Sequence, residues 1–394
     1  MTPYVSFEYF GILALIAVPT IAIAFAGIQR LMQAWIIVAS VIMYLVIYTS
    51  MRPVHHTLIP LACIVLCFLL FEWGVFRAFM YLRTRSKHQG ILYAAVFLAS
   101  IPALSIIVDS TSEVNRSIVG FAGTLFITFR ALALLFDASD DLAATPSMAG
   151  YLAFIGFFPT ATIGPIDRYR RFETDWTRTR APAEIARDVR SALDYICTGF
   201  LLKFIIAALI ARFWLIPSSG LDVLHLISFM YGYMFYSFFD LAGYTAFALG
   251  VSYFFGIHTP GNFNKPFLAR NIRDFWNRWH ISLSWWFRDY VYSRFVYAAL
   301  KGRWFRYDVI ASWIGFMLVM ILMGLTHRAV WMLVFYGLYM GALLIIYDIF
   351  HRFIKRPAMN ESGRVSQALS IFLTFNAVSF GFLLFSEHLS GLNF

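Results

Sequence analysis

Charged residues are scarce in this sequence. Asp, Glu, Lys and Arg make up 13% of the 394 residues, whereas soluble globular domains contain about 25%. Hydrophobic residues make up 60%. Uncharged runs of about 20 residues, the length that one helix needs to cross a hydrocarbon core, recur from one end of the chain to the other. This composition excludes a water-soluble fold and predicts a polytopic membrane protein.

Cysteine is also rare, and the familiar catalytic motifs are missing. Cys63, Cys67 and Cys197 lie in apolar surroundings and are too few for a disulfide framework or a metal site. The sequence has no HExxH, no CxxC pair, no Gly-rich phosphate loop and no GxSxG elbow. Metal and nucleotide chemistry are therefore unsupported, and we predict no metal site.

The formal net charge is +10 and is concentrated between the apolar runs. That distribution is typical of the positive-inside rule and of contact with anionic lipid headgroups. The basic residues do not line one accessible face with interleaved aromatic residues, as a nucleic-acid groove requires. Membrane lipids are thus predicted partners, and nucleic acid is not.

The apolar runs predict about eleven transmembrane helices in one membrane domain, residues 1–394. The first run has no preceding Lys or Arg and no cleavage pattern, so we expect it to remain as a helix. The runs lie near residues 7–28, 34–49, 57–81, 90–108, 117–136, 148–164, 196–217, 223–256, 308–325, 329–350 and 367–386.

Two segments are predicted to depart from simple crossing. Alternation of acidic and basic loops fails around residues 148–164, so this run is predicted to be re-entrant or interfacial, with breaks at Pro159, Gly164 and Pro165. Residues 183–197 have one apolar stripe, and their charges Arg187, Asp188, Arg190 and Asp194 fall on other faces. This pattern predicts an interfacial helix.

A polar island at residues 258–306 interrupts the apolar runs. After Pro266, four apolar residues recur at helical spacing: Ile272, Phe275, Trp276 and Trp279. We therefore expect a continuous helix whose polar face presents Arg273, Asn277 and His280, and which continues through Ser284, Arg288 and Asp289. An amphipathic helix at the interface is the alternative. Ionisable groups at membrane depth are costly and usually mark function, which favours a functional His280.

A second, smaller island is MGLTHRAVW at residues 323–331. It places His327 between two long apolar runs, where a helix break is predicted. A short loop in contact with headgroups is the alternative. Because His280 and His327 are far apart in the sequence, only the fold can bring them together.

Several segments resemble the membrane-bound O-acyltransferase family. They are TFRALALLFD at 128–137, GPIDRYRRFETD at 164–175, FFDLAGYTAFALGVS at 238–252, NKPFLARNIRDFWNRWHISLSWWFRDYVYSRF at 264–295, and MGLTHRAVW. The run after WHISLS is most similar to the branch that transfers D-alanyl groups to teichoic acids. The resemblance implies an all-α bundle of transmembrane, re-entrant and interfacial helices around a central tunnel.

The resemblance also implies roles for individual residues. His327 falls on the family's invariant histidine, and His280 on its second one. Candidate substrate-binding residues in the central block are Trp276, Asn277, Ser284, Arg288 and Asp289. Thr326 and Arg328 replace an aromatic residue and a glycine that usually flank the invariant histidine. We expect this departure to affect acceptor preference.

Implied partners follow from the D-alanyl branch. The donor is the phosphopantetheine arm of an acidic carrier protein, used as substrate, and no cofactor is expected to be bound. An accessory D-alanyl transfer protein on the outer face and a bacterial cytoplasmic membrane location are implied too. The carrier-docking segment is predicted at Val296, Lys301, Arg303 and Arg306; there, binding to lipid headgroups is the alternative.

Two other functions stay open. One is O-acetyl transfer to an exopolysaccharide of the alginate type, by another enzyme of the same family. The other is a transporter whose buried polar residues line a substrate path, although the sequence lacks two related halves with paired half-helices.

Overall fold

The computed structural model describes residues 4–50, 58–85, 89–108, 123–162, 164–326, 331–353, 363–386 and 388–391. Every regular element in these ranges is a helix, which confirms the all-α polytopic prediction. Seven helices there are long and apolar enough to cross a membrane: Phe7–Ala26, Gln29–Ile47, Pro182–Leu215, Val223–Phe254, Asp308–Leu325, Trp331–Phe353 and Arg364–Phe385. The predicted count of about eleven is not confirmed.

Further helices occupy other predicted runs. They are Leu58–Arg85, Gln89–Val108, Thr124–Ser139 and Met148–Ile155. The chain folds as two compact units. The first comprises Met1–Phe200 and Gly243–Pro260, and the second comprises Leu201–Ala242 and Gly261–Phe394. The prediction of one domain over residues 1–394 stays a prediction.

The segment at 148–164, predicted to be re-entrant or interfacial, begins with a short helix. Met148–Ile155 has 8 residues, about 12 Å of rise, which is less than half of the hydrocarbon core. A 3-10 turn, Phe158–Thr160, follows it. Arg130 is buried and donates to the carbonyl oxygen of Phe154 at 2.9 Å. This cation binds one of the carbonyl groups that a helix leaves unpaired at its C-terminal end.

The segment predicted as an interfacial helix, 183–197, is helical, and its helix runs on into the next apolar run. Pro182–Phe200 continues without a break through the π-helical segments Leu201–Ala207 and Ala211–Leu215. Asp188 falls outside the apolar stripe, but it is buried together with Ile185 and Ala192. Asp188 pairs there with the nearby Arg180 and with the sequence-distant His258, and local periodicity does not reveal the second contact.

In the second unit, small residues allow close helix packing. A Cβ atom on Gly337 of Trp331–Phe353 would lie 2.6 Å from the Cα of Ile321 in Asp308–Leu325. Such small residues let helix backbones approach closely in membranes. The Arg364–Phe385 helix adds Phe382, whose ring centroid lies 4.8 Å from that of Trp279. These contacts pack the polar island against the apolar helices of the same unit.

Candidate active site

The continuous helix predicted through His280 is wrong. Ile272–Trp276 ends after 5 residues, and a new helix, Ile281–Phe287, begins directly after His280. The φ angle of His280 is 41°, in the left-handed region. Residues other than glycine rarely adopt this region, because it strains their backbone. Such strain persists only where the surrounding structure holds the residue in place, often at functional sites.

The break is held by a polar segment that precedes it. The carbonyl oxygen of Asn262 accepts from the N–H of Ile281 at 2.9 Å. The side-chain oxygen of Asn262 accepts a hydrogen bond from the Ser282 hydroxyl at 2.6 Å, and Asn262 is fully buried. The N–H of Asn264 donates to the carbonyl oxygen of Arg278 at 3.0 Å. Asn262 and Asn264 therefore fix the backbone on both sides of His280.

The apolar stripe of this segment is buried, as expected from its spacing. Its members are Ile272, Phe275, Trp276 and Trp279. The rings of Phe275 and Trp279 stack with centroids 5.6 Å apart. The tryptophans are thus core residues, and the interfacial alternative does not describe them. His280 is 7% exposed, so it lies in the interior and not on an exposed polar stripe.

The predicted substrate-binding residues are placed differently from one another. Trp276 is buried, whereas Asn277 and Arg288 are exposed, so Asn277 does not share a face with His280. Ser284 is half-buried and donates to the carbonyl oxygen of Trp279 at 3.1 Å. Arg288 forms an ion pair with Asp289 at 2.7 Å. The helix break turns Asn277 outward and His280 inward.

The second histidine of the predicted pair, His327, follows the Asp308–Leu325 helix in the sequence. The Asp308–Leu325 helix ends at Thr326, whose hydroxyl donates to the carbonyl oxygen of Met323 at 2.7 Å. His327 and Arg328 lie outside the described residues. The approach of His327 to His280 therefore stays a prediction.

The predicted docking segment forms the Ser293–Lys301 helix and the turn after it. Lys301, Arg303 and Arg306 are exposed. Val296 is half-buried, and its Cγ2 lies 3.2 Å from the place where a Cβ of Gly315 would be. The large apolar side chains exposed in this segment are Tyr297, Leu300, Trp304 and Tyr307. The structure thus places exposed basic and apolar groups side by side.

A second histidine site, which the sequence did not reveal, lies in the first unit. The His258 ring Nε2–H donates to Asp188 at 2.9 Å, and its backbone N–H donates to Asp175 at 2.8 Å. Arg180 also contacts Asp188, at 2.7 Å. A Cβ on Gly256 would overlap the Arg180 guanidinium, and the φ of Gly256 is 75°. Only glycine fits there.

These carboxylates change the protonation of the ring. The ring Nδ1 lies 3.7 Å from an Asp175 carboxylate oxygen, and Nε2 lies 2.9 Å from Asp188. These two contacts, that with Asp175 first, raise the pKa of His258 to about 9, so the ring is a cation at neutral pH. No spacing in the sequence connects residues 175, 188 and 258.

The described residues contain no group of three His, Cys, Asp or Glu side chains arranged to hold a metal ion.

Comparison with known families identifies the class of protein to which this helical membrane fold belongs. The chain belongs to the membrane-bound O-acyltransferase family, whose model matches residues 21–308. It is therefore an acyltransferase and a multi-pass membrane protein, as the resemblance implied.

Particular relatives are similar over nearly the whole chain. A teichoic acid D-alanyltransferase of Bacillus subtilis (strain 168) is 38% identical over 98% of this chain and 98% of its own length. A protein of the same name from Lacticaseibacillus rhamnosus is 33% identical over 100% and 99%. A probable alginate O-acetylase of Pseudomonas aeruginosa is 28% identical over 67% of this chain but 48% of its own length.

Proposed function

We propose that this protein transfers a D-alanyl group from a carrier-protein thioester toward teichoic acid, in the bacterial cytoplasmic membrane. The observation that carries the proposal is the near-complete similarity to relatives named teichoic acid D-alanyltransferase. The thioester lies on the phosphopantetheine arm of an acidic carrier protein. The acceptor is a hydroxyl group of teichoic acid, of another envelope glycan or of an accessory relay protein on the outer face.

The reaction exchanges one ester for another. The acceptor oxygen attacks the thioester carbonyl carbon while His327 takes the hydroxyl proton. The carbon–sulfur bond then breaks, and the thiolate leaves and recovers a proton from the imidazolium. An alcohol is a poor nucleophile at neutral pH, so a positioned base contributes about 10² to 10⁴-fold.

His280 is assigned to the charge that develops on the carbonyl oxygen. A hydrogen bond donated in a buried, low-dielectric setting stabilises that oxygen more than water does, and His280 is buried. Asn277 is the alternative donor, but its exposure makes His280 the better assignment. Orientation of the substrate is another role for His280. An acyl-histidine intermediate is a further route.

The acyl group has to pass from the cytoplasmic side to the acceptor side. A tunnel through the helical bundle, narrow beside the histidines, lets the prosthetic arm meet a hydroxyl that arrives from the other face. The carrier docks on the Ser293–Lys301 helix and its following turn. There, Lys301, Arg303 and Arg306 attract an acidic surface, and the exposed Tyr297 and Leu300 supply apolar contact.

The competing function is O-acetyl transfer, which the similarity to a probable alginate O-acetylase favours. A donor assay separates the two functions. The purified chain is incubated with D-alanyl-carrier or acetyl-carrier in the presence of teichoic acid, and the free carrier thiol and acylated acceptor are both measured. We expect turnover with D-alanyl-carrier. Turnover with the acetyl donor alone would contradict D-alanyl transfer.

A further inference from the structure

A buried carboxylate in the second unit joins two half-exposed arginines. Asp348, near the end of Trp331–Phe353, is 4% exposed. It accepts from Arg352 Nε at 2.6 Å and from Arg273 Nη2 at 3.3 Å. The indole N–H of Trp313 adds a third donor at 3.0 Å. Three donors therefore fix one carboxylate, and the carboxylate fixes both guanidinium groups beside each other.

The two arginines retain unused charge and unused donors. One carboxylate balances one of two cations, which leaves a net positive charge. In the described part of the chain, each guanidinium group gives one hydrogen bond, to Asp348. Most of the five N–H donors of each group remain available. The side chains of Arg273 and Arg352 are 49% and 48% exposed, so these donors are accessible to a ligand.

The orientation of Arg273 is restricted further by aromatic rings. Its guanidinium carbon lies 5.4 Å from the centroid of Tyr347 and 6.0 Å from that of Phe316. Cation–π contacts of this kind hold a guanidinium without using its N–H groups. The site is therefore built in advance: the carboxylate and the rings set the geometry, and outward donors stay open.

We propose that Arg273 and Arg352, held by Asp348, form a binding site for a phosphodiester. Guanidinium groups match phosphate geometry through paired N–H donors, and two adjacent groups contact one phosphate from two sides. Arg273 also belongs to the helix that leads to His280, so a bound phosphodiester lies on the same segment as the candidate active site.

Two sources supply this chemistry. One is the phosphodiester that joins pantetheine to the serine of a carrier protein, and this source rests on the proposed function. The other is the headgroup of an anionic phospholipid, which does not depend on it. Arg352 lies in the last turn of a candidate membrane span, where lipid phosphates are present as well.

Matched probes separate the two sources. The full-length protein is purified in an uncharged detergent and titrated calorimetrically with phosphopantetheinyl-serine amide and with dioctanoyl phosphatidylglycerol. Pantetheine and dioctanoylglycerol are the phosphate-free counterparts. The variants are Arg273→Gln, Arg352→Gln and the charge-conserving Arg352→Lys.

Arg278→Gln is the control variant. It removes the same charge from the same unit, where Arg278 pairs with Asp274 at 2.7 Å. Unfolding temperatures are recorded for all variants, so that loss of binding is compared only among folded proteins. Arg352→Lys keeps the positive charge but loses the paired N–H donors of the guanidinium group. We therefore expect its affinity to lie between those of the wild type and Arg352→Gln.

The expected result is a loss of affinity of about tenfold or more for a phosphodiester probe in each Gln variant. Phosphate-free probes and Arg278→Gln should show no such change. Loss confined to the pantetheine probe identifies the donor arm, and loss confined to the lipid identifies a headgroup site. Unchanged affinity for both phosphodiesters in folded Arg273→Gln and Arg352→Gln would overturn the proposal.

The binding titration is independent of transfer activity. If the donor assay finds no D-alanyl transfer while phosphodiester binding still depends on both arginines, the site stands and the proposed function fails. If transfer occurs but phosphodiester binding is independent of the arginines, the proposed function stands and the phosphodiester site fails.

Discussion

His258 and His280 come from the same polar island of the sequence but serve different purposes. His258 binds Asp188 through its ring and Asp175 through its backbone, and its pKa of about 9 keeps it protonated. An imidazole that is already protonated at neutral pH cannot accept a proton there, so it acts as a structural cation. His280 is buried, strained and fixed by Asn262. Histidine in a membrane protein is thus not by itself a mark of catalysis.

The largest effect is expected at the predicted base. His327→Ala should lower D-alanyl transfer about 100-fold or more, because a positioned base is lost. The unfolding temperature should stay unchanged in the same preparation. Transfer is measured as free carrier thiol released per minute. Retention of more than about a tenth of the wild-type rate would rule out a general base of the expected strength.

His258→Gln should have the opposite profile. The variant removes a cation from between two aspartates, so the free energy of unfolding should fall by about 1 to 2 kcal/mol, a value reduced for partial solvent exposure. Transfer per folded molecule should stay near wild type. Chemical or thermal unfolding in detergent provides the measurement.

His225→Gln is the matched control. His225 also pairs with an aspartate, Asp222, but their side chains are 48% and 61% exposed. An exposed pair contributes little. Equal destabilisation by the two substitutions would remove the distinction between a structural and a surface histidine pair.

The pH dependence of stability should follow His258. Its pKa is raised in the folded state above the ordinary value of 6.5, so its contribution is complete below about pH 6.5. That contribution should be lost as the pH rises through about 9. The unfolding temperature of the wild type should therefore decline over this window more than that of His258→Gln. Parallel curves for both proteins would contradict the assignment.

Carrier docking should give the smallest and most salt-dependent effect. Charge reversal at Lys301, Arg303 and Arg306 should weaken binding of the loaded carrier mainly at low salt, because exposed charges steer association. Val296→Asp should weaken it at every salt concentration. Val296 packs beside Gly315, so Val296→Asp can also disturb the fold. Leu300 is exposed, and Leu300→Asp therefore tests apolar contact with the carrier without disturbing that packing. Unchanged affinity and salt slope in the triple reversal would contradict docking here.

Local pattern predicted a large part of the fold. The apolar runs fall on helices, and the spacing of Ile272, Phe275, Trp276 and Trp279 identified a buried stripe. These features depend on residues close together in the sequence, so they can be predicted from local periodicity.

Long-range polar contacts were not predictable in the same way. The break at His280 depends on Asn262, and the inward position of Asp188 depends on His258. The carboxylate of Asp348 meets Arg273 from a distant helix. Each contact joins residues far apart in the sequence, which a local helical pattern cannot reveal. The sequence therefore predicted which segments carry the candidate site but not the geometry around His280.

We assign stabilisation of the carbonyl oxygen to His280 at the helix break, and no part of the reaction to His258, which pairs with aspartates. Single-turnover transfer from D-alanyl-carrier, normalised to folded protein, measures both sites in one experiment. We expect His280→Ala to slow transfer by at least about tenfold through loss of a donor to the carbonyl oxygen, whereas His258→Gln should stay within about twofold of wild type. A wild-type rate in His280→Ala together with a large loss in His258→Gln would contradict this assignment.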